Sequence, residues 1–198
     1  MKKIFAVAAV IVLVTSLSFG QQLGLHEIGG GIGYTSVSFT NAGSSSQSLG
    51  GFLIAAHANL GELTKDLTLV PDIEYFSTST TVNGGTWKVG DFAINANVHY
   101  NFEMEGMIKP YAGAGLGLDF FSTTASATIP GYTIPGFGSV PSQTVSATGS
   151  ATRLGINLLV GANYKLNDKM SLFLEPRYVI ASDLDNFQIK VGVTWAMM

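Results

Sequence analysis

The stretch DFAINANVHYNF (residues 91–102) alternates between apolar and polar side chains along its whole length. A period of two residues is that of a β-strand with one apolar and one polar face. The apolar face extends over six positions, from Phe92 to Phe102, and the other face carries Asp91, His99 and three asparagines. A tilted strand that crosses a membrane needs roughly 9–11 residues, whereas strands in soluble domains average about 5–6. The stretch therefore predicts a membrane-spanning strand.

The same alternation recurs along the chain and predicts eight strands, at 26–39, 48–60, 67–79, 86–102, 108–122, 151–165, 170–181 and 186–197. Aromatic residues cluster near the ends of the apolar faces, as in the girdles of membrane barrels: Tyr100, Phe102, Phe120, Tyr164, Tyr178 and Trp195. The opposite faces carry charges of both signs and few large apolar side chains. The pattern favours an all-β fold, a single eight-stranded antiparallel transmembrane β-barrel. A secreted soluble β-sandwich, whose apolar faces turn inward, is the alternative.

The connections between the predicted strands alternate in length and chemistry. Short, charged connections fall at 61–66, 103–107 and 167–169, and longer ones rich in Ser, Thr, Asn and Gly fall at 40–47, 80–85 and 123–150. Outer-membrane barrels have short periplasmic turns and longer external loops. We therefore expect both termini in the periplasm and the 123–150 connection outside; only the short connection at 182–186 departs from this trend.

Composition and the N-terminus indicate export. Only 12% of the 198 residues are charged, and Cys is absent, which excludes disulfides, thiolate metal sites and cysteine nucleophiles. Lys2 and Lys3 precede an apolar run from Ile4 to Leu17, and Gly20 ends a small-residue cleavage pattern. We expect residues 1–20 to be a cleaved signal peptide and residues 21–198 to form the barrel domain. Removing the two lysines leaves 8 basic against 13 acidic residues, which does not indicate a nucleic-acid partner.

Three stretches carry a family resemblance, namely IKPYAGAGLGLDFF at 108–121, LGINLLVGANYKLNDKMSLFLEPRYVI at 154–180 and FQIKVGVTW at 187–195. In this order they resemble the small outer-membrane β-barrel family, which contains OmpX-like, OmpW-like and OmpA-barrel proteins. The resemblance covers roughly residues 26–198. It implies a location in the bacterial outer membrane, with membrane lipid as the partner and a monomeric barrel.

The polar faces of the predicted strands supply the candidate site. An eight-stranded barrel leaves an interior just wide enough for side chains to fill, and charges buried there must pair. Glu175 and Arg177 share one strand face, so we expect them to form a network with Arg153 and Lys190 on adjacent strands. The full predicted set is Asp72, Glu74, Asp91, His99, Asp119, Arg153, Glu175, Arg177 and Lys190. A filled lumen predicts a structural or surface-interaction role; a narrow pore for small solutes or ions is the alternative.

Catalysis has little support in the sequence. A membrane-embedded lipid hydrolase or acyltransferase would need a histidine beside a nucleophile, and none of His26, His57 and His99 lies in such a pattern. We therefore expect no enzyme. His26, Glu27 and His57 do not form a metal motif, and the glycine run at 29–33 lacks the helix and Lys-Ser/Thr of a nucleotide loop, so no metal or cofactor is expected.

The long connection contains a local repeat, Ile-Pro-Gly-Tyr at 129–132 and Ile-Pro-Gly-Phe at 134–137. Pro-Gly favours a turn, which places Tyr132 and Phe137 just after two turns. We expect the loop to pack on itself; the alternative is an outward recognition tip that contacts surface or envelope ligands. Its Ser/Thr-rich flanks, 123–128 and 142–152, are expected to prolong their strands as a protruding hairpin.

Overall fold

The computed structural model describes residues 23–39, 47–82, 85–181 and 184–197, and it is an all-β structure. Eight long strands are present: β1 (Glu27–Phe39), β2 (Gln47–Asn59), β4 (Leu67–Val82), β5 (Gly85–Asn101), β6 (Ile108–Ile129), β9 (Gln143–Lys165), β10 (Met170–Ala181) and β11 (Leu184–Ala196). Three short strands are β3 (Glu62–Thr64), β7 (Tyr132–Ile134) and β8 (Gly138–Val140). The eight predicted strands are confirmed. The predicted signal peptide lies outside the described residues.

The eight long strands close into a barrel. Neighbours pair antiparallel in the order β2-β1-β11-β10-β9-β6-β5-β4, and β2 pairs with β4 to complete the circle. Most neighbouring strands are paired along nearly their whole length. For example, β1 pairs with β2 from Glu27↔Asn59 to Phe39↔Gln47. The closing pair matches only from Leu53↔Phe76 to His57↔Asp72. The predicted antiparallel eight-stranded barrel is confirmed, and its closing seam is its shortest pairing.

The outer surface of the barrel is a broad apolar band. Its large side chains are exposed, among them Ile32 at 62% and Phe52 at 80%, as lipid-facing residues must be. Aromatic residues rim the band: Tyr34, Phe52, Tyr75, Phe92 and Phe120 near one end, and Tyr100, Phe102, Tyr164 and Trp195 near the other. Phe92 and Tyr100 lie eight residues apart on β5, or about 27 Å along the strand. For a strand tilted by about 40°, this spacing corresponds to about 21 Å along the membrane normal, which is close to the roughly 25 Å height of the apolar band in membrane barrels.

The two ends of the barrel differ. One end, here the turn end, carries the short connections 60–66, 102–107 and 166–169 together with the first and last barrel residues. At the other end, the loop end, β6 and β9 pair without interruption from Ile108↔Tyr164 to Ile129↔Gln143. The expected prolongation of both strands into a protruding hairpin is confirmed. At its tip β7 pairs with β8.

Much of the connection predicted at 123–150 is therefore strand. Ser and Thr made it look like a loop, but Thr has a high β-propensity and pairs well across strands. Thr128 and Thr144 face each other with hydroxyl oxygens 3.1 Å apart. Across the described ranges, no helix is both long and apolar enough to cross a bilayer.

Candidate functional site in the barrel lumen

The middle of the lumen is held by Arg177, which projects from β10 and is 2% exposed. Its Nη2 atom donates to Asp72 Oδ2 at 2.6 Å and to Glu175 Oε1 at 2.9 Å. Its Nη1 atom lies 2.9 Å from Glu74 Oε1. Charge-assisted bonds to three carboxylates use the planar donor fork that distinguishes arginine from lysine. One side chain thereby ties β10 to β4 across the barrel interior.

Lys190, on β11, completes this central cluster. Its Nζ atom donates to Glu74 Oε1 at 2.6 Å and lies 2.8 Å from Glu175 Oε1. The central cluster, defined as Asp72, Glu74, Glu175, Arg177 and Lys190, thus sets three carboxylates against two cations, all of them buried. Charges taken out of water stay ionised only when such partners replace the lost hydration.

A layer of amides supports the cluster from β5 and β9. Asn95 and Asn97 donate to the two carboxylate oxygens of Asp72 at 2.7 and 2.6 Å. Asn157 in turn donates to the side-chain oxygens of both asparagines, at 2.9 and 3.0 Å. Glycines on the facing strand β6 leave the space for these amides, since a Cβ at Gly115 or Gly117 would collide with them. The fit between these glycines and the asparagines of the neighbouring strands was not predicted from the sequence.

Below the cluster, toward the turn end, the lumen contains two histidines. The His99 ring stacks on Tyr111 with centroids 4.7 Å apart, and the Tyr111 hydroxyl donates to Glu175 at 2.9 Å. His57 Nε2 lies 3.2 Å from Thr194 Oγ1. These side chains line a cavity of about 50 Å³. A cavity of that size holds a few water molecules, at roughly 10–15 Å³ each.

Above the cluster, toward the loop end, the lumen is filled by apolar side chains. The buried residues of this apolar layer are Val37, Leu53, Phe76, Val89 and Phe121. The expectation that the inward faces carry few large apolar side chains is wrong at this level. The signal was available in the sequence, because Phe76 and Phe121 are in phase with Asp72, Glu74 and Asp119 on their strands.

Arg153, Asp91 and Asp119 lie apart from the central cluster, beside the apolar layer. Arg153 is paired in register with Asp119, and its guanidinium stands 4.6 Å over the Phe121 ring. Among the described residues, the ion pairs of Glu175 and Arg177 do not include Arg153. The predicted network of Glu175 and Arg177 therefore includes Lys190 but not Arg153. Arg153 lies on β9 six residues closer to the loop end than Leu159, the residue paired in register with Arg177.

Among the described histidines, His57 is the one with a ring nitrogen at hydrogen-bond distance from a side-chain hydroxyl. The Thr194 hydroxyl lies beside the His57 imidazole, but the hydrogen bonds found in the described ranges give His57 no carboxylate to orient it. Phe173 packs against the His57 ring with centroids 5.0 Å apart. No group of three His, Cys, Asp or Glu side chains within those ranges could hold a metal ion. The chemistry of the lumen is therefore that of a packed, ion-paired interior.

The hairpin tip presents the two aromatic residues of the sequence repeat to solvent. Tyr132 is 59% exposed and Phe137 is 88% exposed. The backbone of the tip does pair with itself, from Tyr132↔Val140 to Ile134↔Gly138. The expectation that the loop packs on itself thus holds for its backbone and is wrong for these two side chains.

A closed antiparallel wall, an outward apolar band rimmed by aromatics and a charged, filled lumen define a transmembrane β-barrel. The chain belongs to the family of outer membrane protein β-barrel domains, whose family model matches residues 5–196. It is an integral protein of the bacterial outer membrane, and its lumen is filled largely by buried polar and charged side chains.

Solved structures show the same fold. Neisserial surface protein A (NspA) superposes with a TM-score of 0.62 at 18% identity, over 86% of this chain and 96% of that one. Ail, the attachment invasion locus protein of Yersinia pestis, superposes with a TM-score of 0.52 at 12% identity, over 87% of this chain and 99% of that one. At these identities the likeness concerns the fold. No curated protein sequence matches the chain.

Proposed function

We propose that this protein is a closed barrel that holds an uncharged β-hairpin outside the cell as an interaction surface. In this arrangement the turn end and both termini face the periplasm, residues 1–20 are a cleaved signal peptide, and the barrel works as a monomer without catalytic activity. The lumen carries no solute, because the central cluster and the apolar layer lie one above the other within it.

The observation that carries this proposal is the distribution of charge. No charged residue occurs between Asp119 and Arg153, so the whole protruding hairpin is uncharged. The turn end, in contrast, carries ionic side chains, including the exposed pairs Lys65–Glu103 and Lys165–Asp168. The hydrogen bond from Lys165 lowers the pKa of Asp168. An apolar, neutral tip surrounded by hydroxyl side chains suits an uncharged partner surface.

The hairpin also offers an open edge. β10 pairs with β9 only as far as Ala181↔Gly155, whereas β6 pairs with β9 up to Gln143. In the described structure the upper part of β9, residues 143–152, therefore has a partner strand on one side only. An edge without Lys or Pro is a template for a further strand.

The chemistry of the hairpin argues for a protein partner over a polyanion. Ail has also been solved in complex with sucrose octasulfate, a heparin analogue, and that structure superposes with a TM-score of 0.50 at 13% identity, over 87% of this chain and 99% of that one. The hairpin of this chain has no Lys or Arg with which to bind sulfate groups. We therefore infer that its partner is an uncharged polypeptide segment, which would add to the β9 edge or cover the aromatic tip.

Because the chain has no native Cys, single cysteines test the orientation without ambiguity. A Phe137→Cys variant should react with an impermeant maleimide on intact cells, whereas Asp168→Cys should react only after the outer membrane is opened. The reverse pattern would refute the orientation.

The interaction role is tested by attachment of expressing cells to an apolar, uncharged surface. The double variant Tyr132→Ser with Phe137→Ser should reduce attachment several-fold, and the double variant Lys65→Ser with Glu103→Ser should leave it unchanged. Equal attachment of all three proteins would refute that role.

A further inference from the structure

The closing seam of the barrel has an unusual outer face. Above Leu53↔Phe76, toward the loop end, β2 and β4 no longer pair as strands. There the Thr78 hydroxyl donates to the Gly50 carbonyl at 3.0 Å, a side-chain bond where a ladder would have backbone bonds. The upper part of the seam is therefore closed by a side-chain bond in place of a strand ladder.

Below it, where β2 and β4 still pair, an apolar groove of about 300 Å³ lies within the lipid-facing band. Its outward side chains come from three strands: Ile54 and Ala56 on β2, Ile73 and Tyr75 on β4, and Phe92 on β5. In a bilayer, the material that surrounds this groove is lipid hydrocarbon. Ala56 is the smallest of these outward side chains and leaves room between its larger neighbours.

The unpaired upper part of the seam carries a polar recess of about 620 Å³ at the level of the aromatic rim. It is lined by Tyr34, Gly50, Gly51, Phe52, Ser77, Thr78, Ser79 and Lys88. Gly50 keeps the recess open, because a Cβ there would collide with the Tyr34 hydroxyl. The recess thus places hydroxyls and one ammonium directly above the apolar groove.

Lys88 is distinctive among the basic residues. The other cations of the described structure lie in the lumen (Arg153, Arg177 and Lys190) or at the turn end (Lys65, Lys109, Lys165 and Lys169). None of the ion pairs found among the described residues includes Lys88. Lys88 is paired in register with Ser79, and Phe92 with Tyr75, so the ammonium stands four residues above the groove. Four residues of strand span about 13 Å, or about 10 Å along the membrane normal after a tilt of about 40°, which places the ammonium on the headgroup side of the groove.

We propose that this seam binds one phosphate-bearing membrane lipid of the leaflet at the loop end. An acyl chain fills the apolar groove between Ile54 and Ile73. The lipid phosphate contacts the Lys88 ammonium, and the Ser77 and Ser79 hydroxyls donate to phosphate or ester oxygens. The juxtaposition of an apolar groove, a hydroxyl-lined recess and one lysine at that recess fits an anionic amphiphile better than a zwitterionic one.

The test is native mass spectrometry of the full-length barrel, released from detergent with either phosphatidylglycerol or phosphatidylcholine. The wild-type protein should retain one phosphatidylglycerol in preference to phosphatidylcholine. Lys88→Gln should reduce that preference by about two- to five-fold, the usual effect of one exposed charge near a membrane surface. Lys109→Gln, an equal change of charge at the turn end, should not alter it. Equal effects of both variants, or none, would overturn the headgroup contact.

A separate substitution tests whether an acyl chain occupies the apolar groove. Ala56→Phe fills the groove and should reduce retention of both lipids several-fold, whereas Ala114→Phe adds the same ring to the lipid face of β6 and should not. Heat-modifiable gel mobility shows whether each barrel has folded; should Ala56→Phe not fold, Ala56→Leu replaces it. Unchanged retention in a folded Ala56 variant would overturn the proposal.

Discussion

Arg177 Nη2 lies 2.6 Å from Asp72 Oδ2, although 105 residues separate the two in sequence. The pair joins β10 to β4, which do not neighbour each other in the wall, so it spans the lumen. Both side chains are buried, and each is also bonded to other members of the central cluster. The barrel interior is thus held together by a contact that backbone pairing alone would not provide.

Replacement of Arg177 by methionine should strongly destabilise the barrel. It preserves volume but leaves three buried carboxylates facing only Lys190, and breaking a buried ion pair in this way costs about 3–5 kcal/mol. The free energy of unfolding in urea, measured in phospholipid vesicles, should fall by that order. Lys65→Met removes a cation from an exposed pair and should leave the unfolding midpoint unchanged. A stable Arg177→Met barrel would show that the cluster is not required for folding.

Much of this interior could be predicted from the sequence, but its pairing could not. Alternation assigns Asp72, Glu175 and Arg177 to the inward face, since a period of two leaves no other choice. Which of these inward charges form ion pairs depends on the stagger between neighbouring strands. Because of that stagger, Arg153 lies beside the apolar layer and not in the central cluster. The short seam between β2 and β4 was likewise invisible, because both strands alternate normally on either side of it.

The apolar layer should close the lumen to ions. Reconstituted wild-type protein should show no discrete conductance in a planar bilayer. A variant with both Phe76→Ala and Phe121→Ala removes two rings from the layer and should admit water and small ions above the central cluster. Each change costs about 3–5 kcal/mol of stability, so heat-modifiable mobility must first establish that the variant is folded. Discrete channels in the wild-type protein would contradict a closed lumen.

Two adjacent glycines of β1 should respond differently to alanine. A Cβ at Gly31 would point inward and lie 2.7 Å from the Val191 carbonyl oxygen and 2.8 Å from Phe173 Cζ. Because the backbone carbonyl cannot move away without strain in the strand, Gly31→Ala should lower the free energy of unfolding by about 1–3 kcal/mol. At Gly30 the nearest atom to a Cβ is 3.7 Å away, an ordinary contact on the outer face.

Gly30→Ala should therefore change stability by no more than about 0.5 kcal/mol. Urea unfolding of the two variants side by side compares them at neighbouring positions of one strand, so that bilayer depth and strand propensity are closely matched. Equal losses would mean that the inward packing around Gly31 is looser than the structure shows.

The open edge of β9 should accept a strand. Ser146 lies on this edge and is paired in register with Ser126 of β6, which has β5 on its other side. A labelled peptide with the sequence of residues 122–129, the native neighbour of β9, serves as the probe. Fluorescence anisotropy should show it binding to the reconstituted barrel, and Ser146→Lys should weaken that binding, since a lysine on an edge strand opposes further pairing.

Ser126→Lys is the matched control, because it adds the same charge to the facing residue of a strand without a free edge. It should leave peptide binding near the wild-type level. If both lysines weaken binding equally, the peptide recognises the hydroxyl-rich face of the hairpin, and the β9 edge is not the site. If neither does, the hairpin engages partners through Tyr132 and Phe137 at its tip, which the attachment assay measures separately.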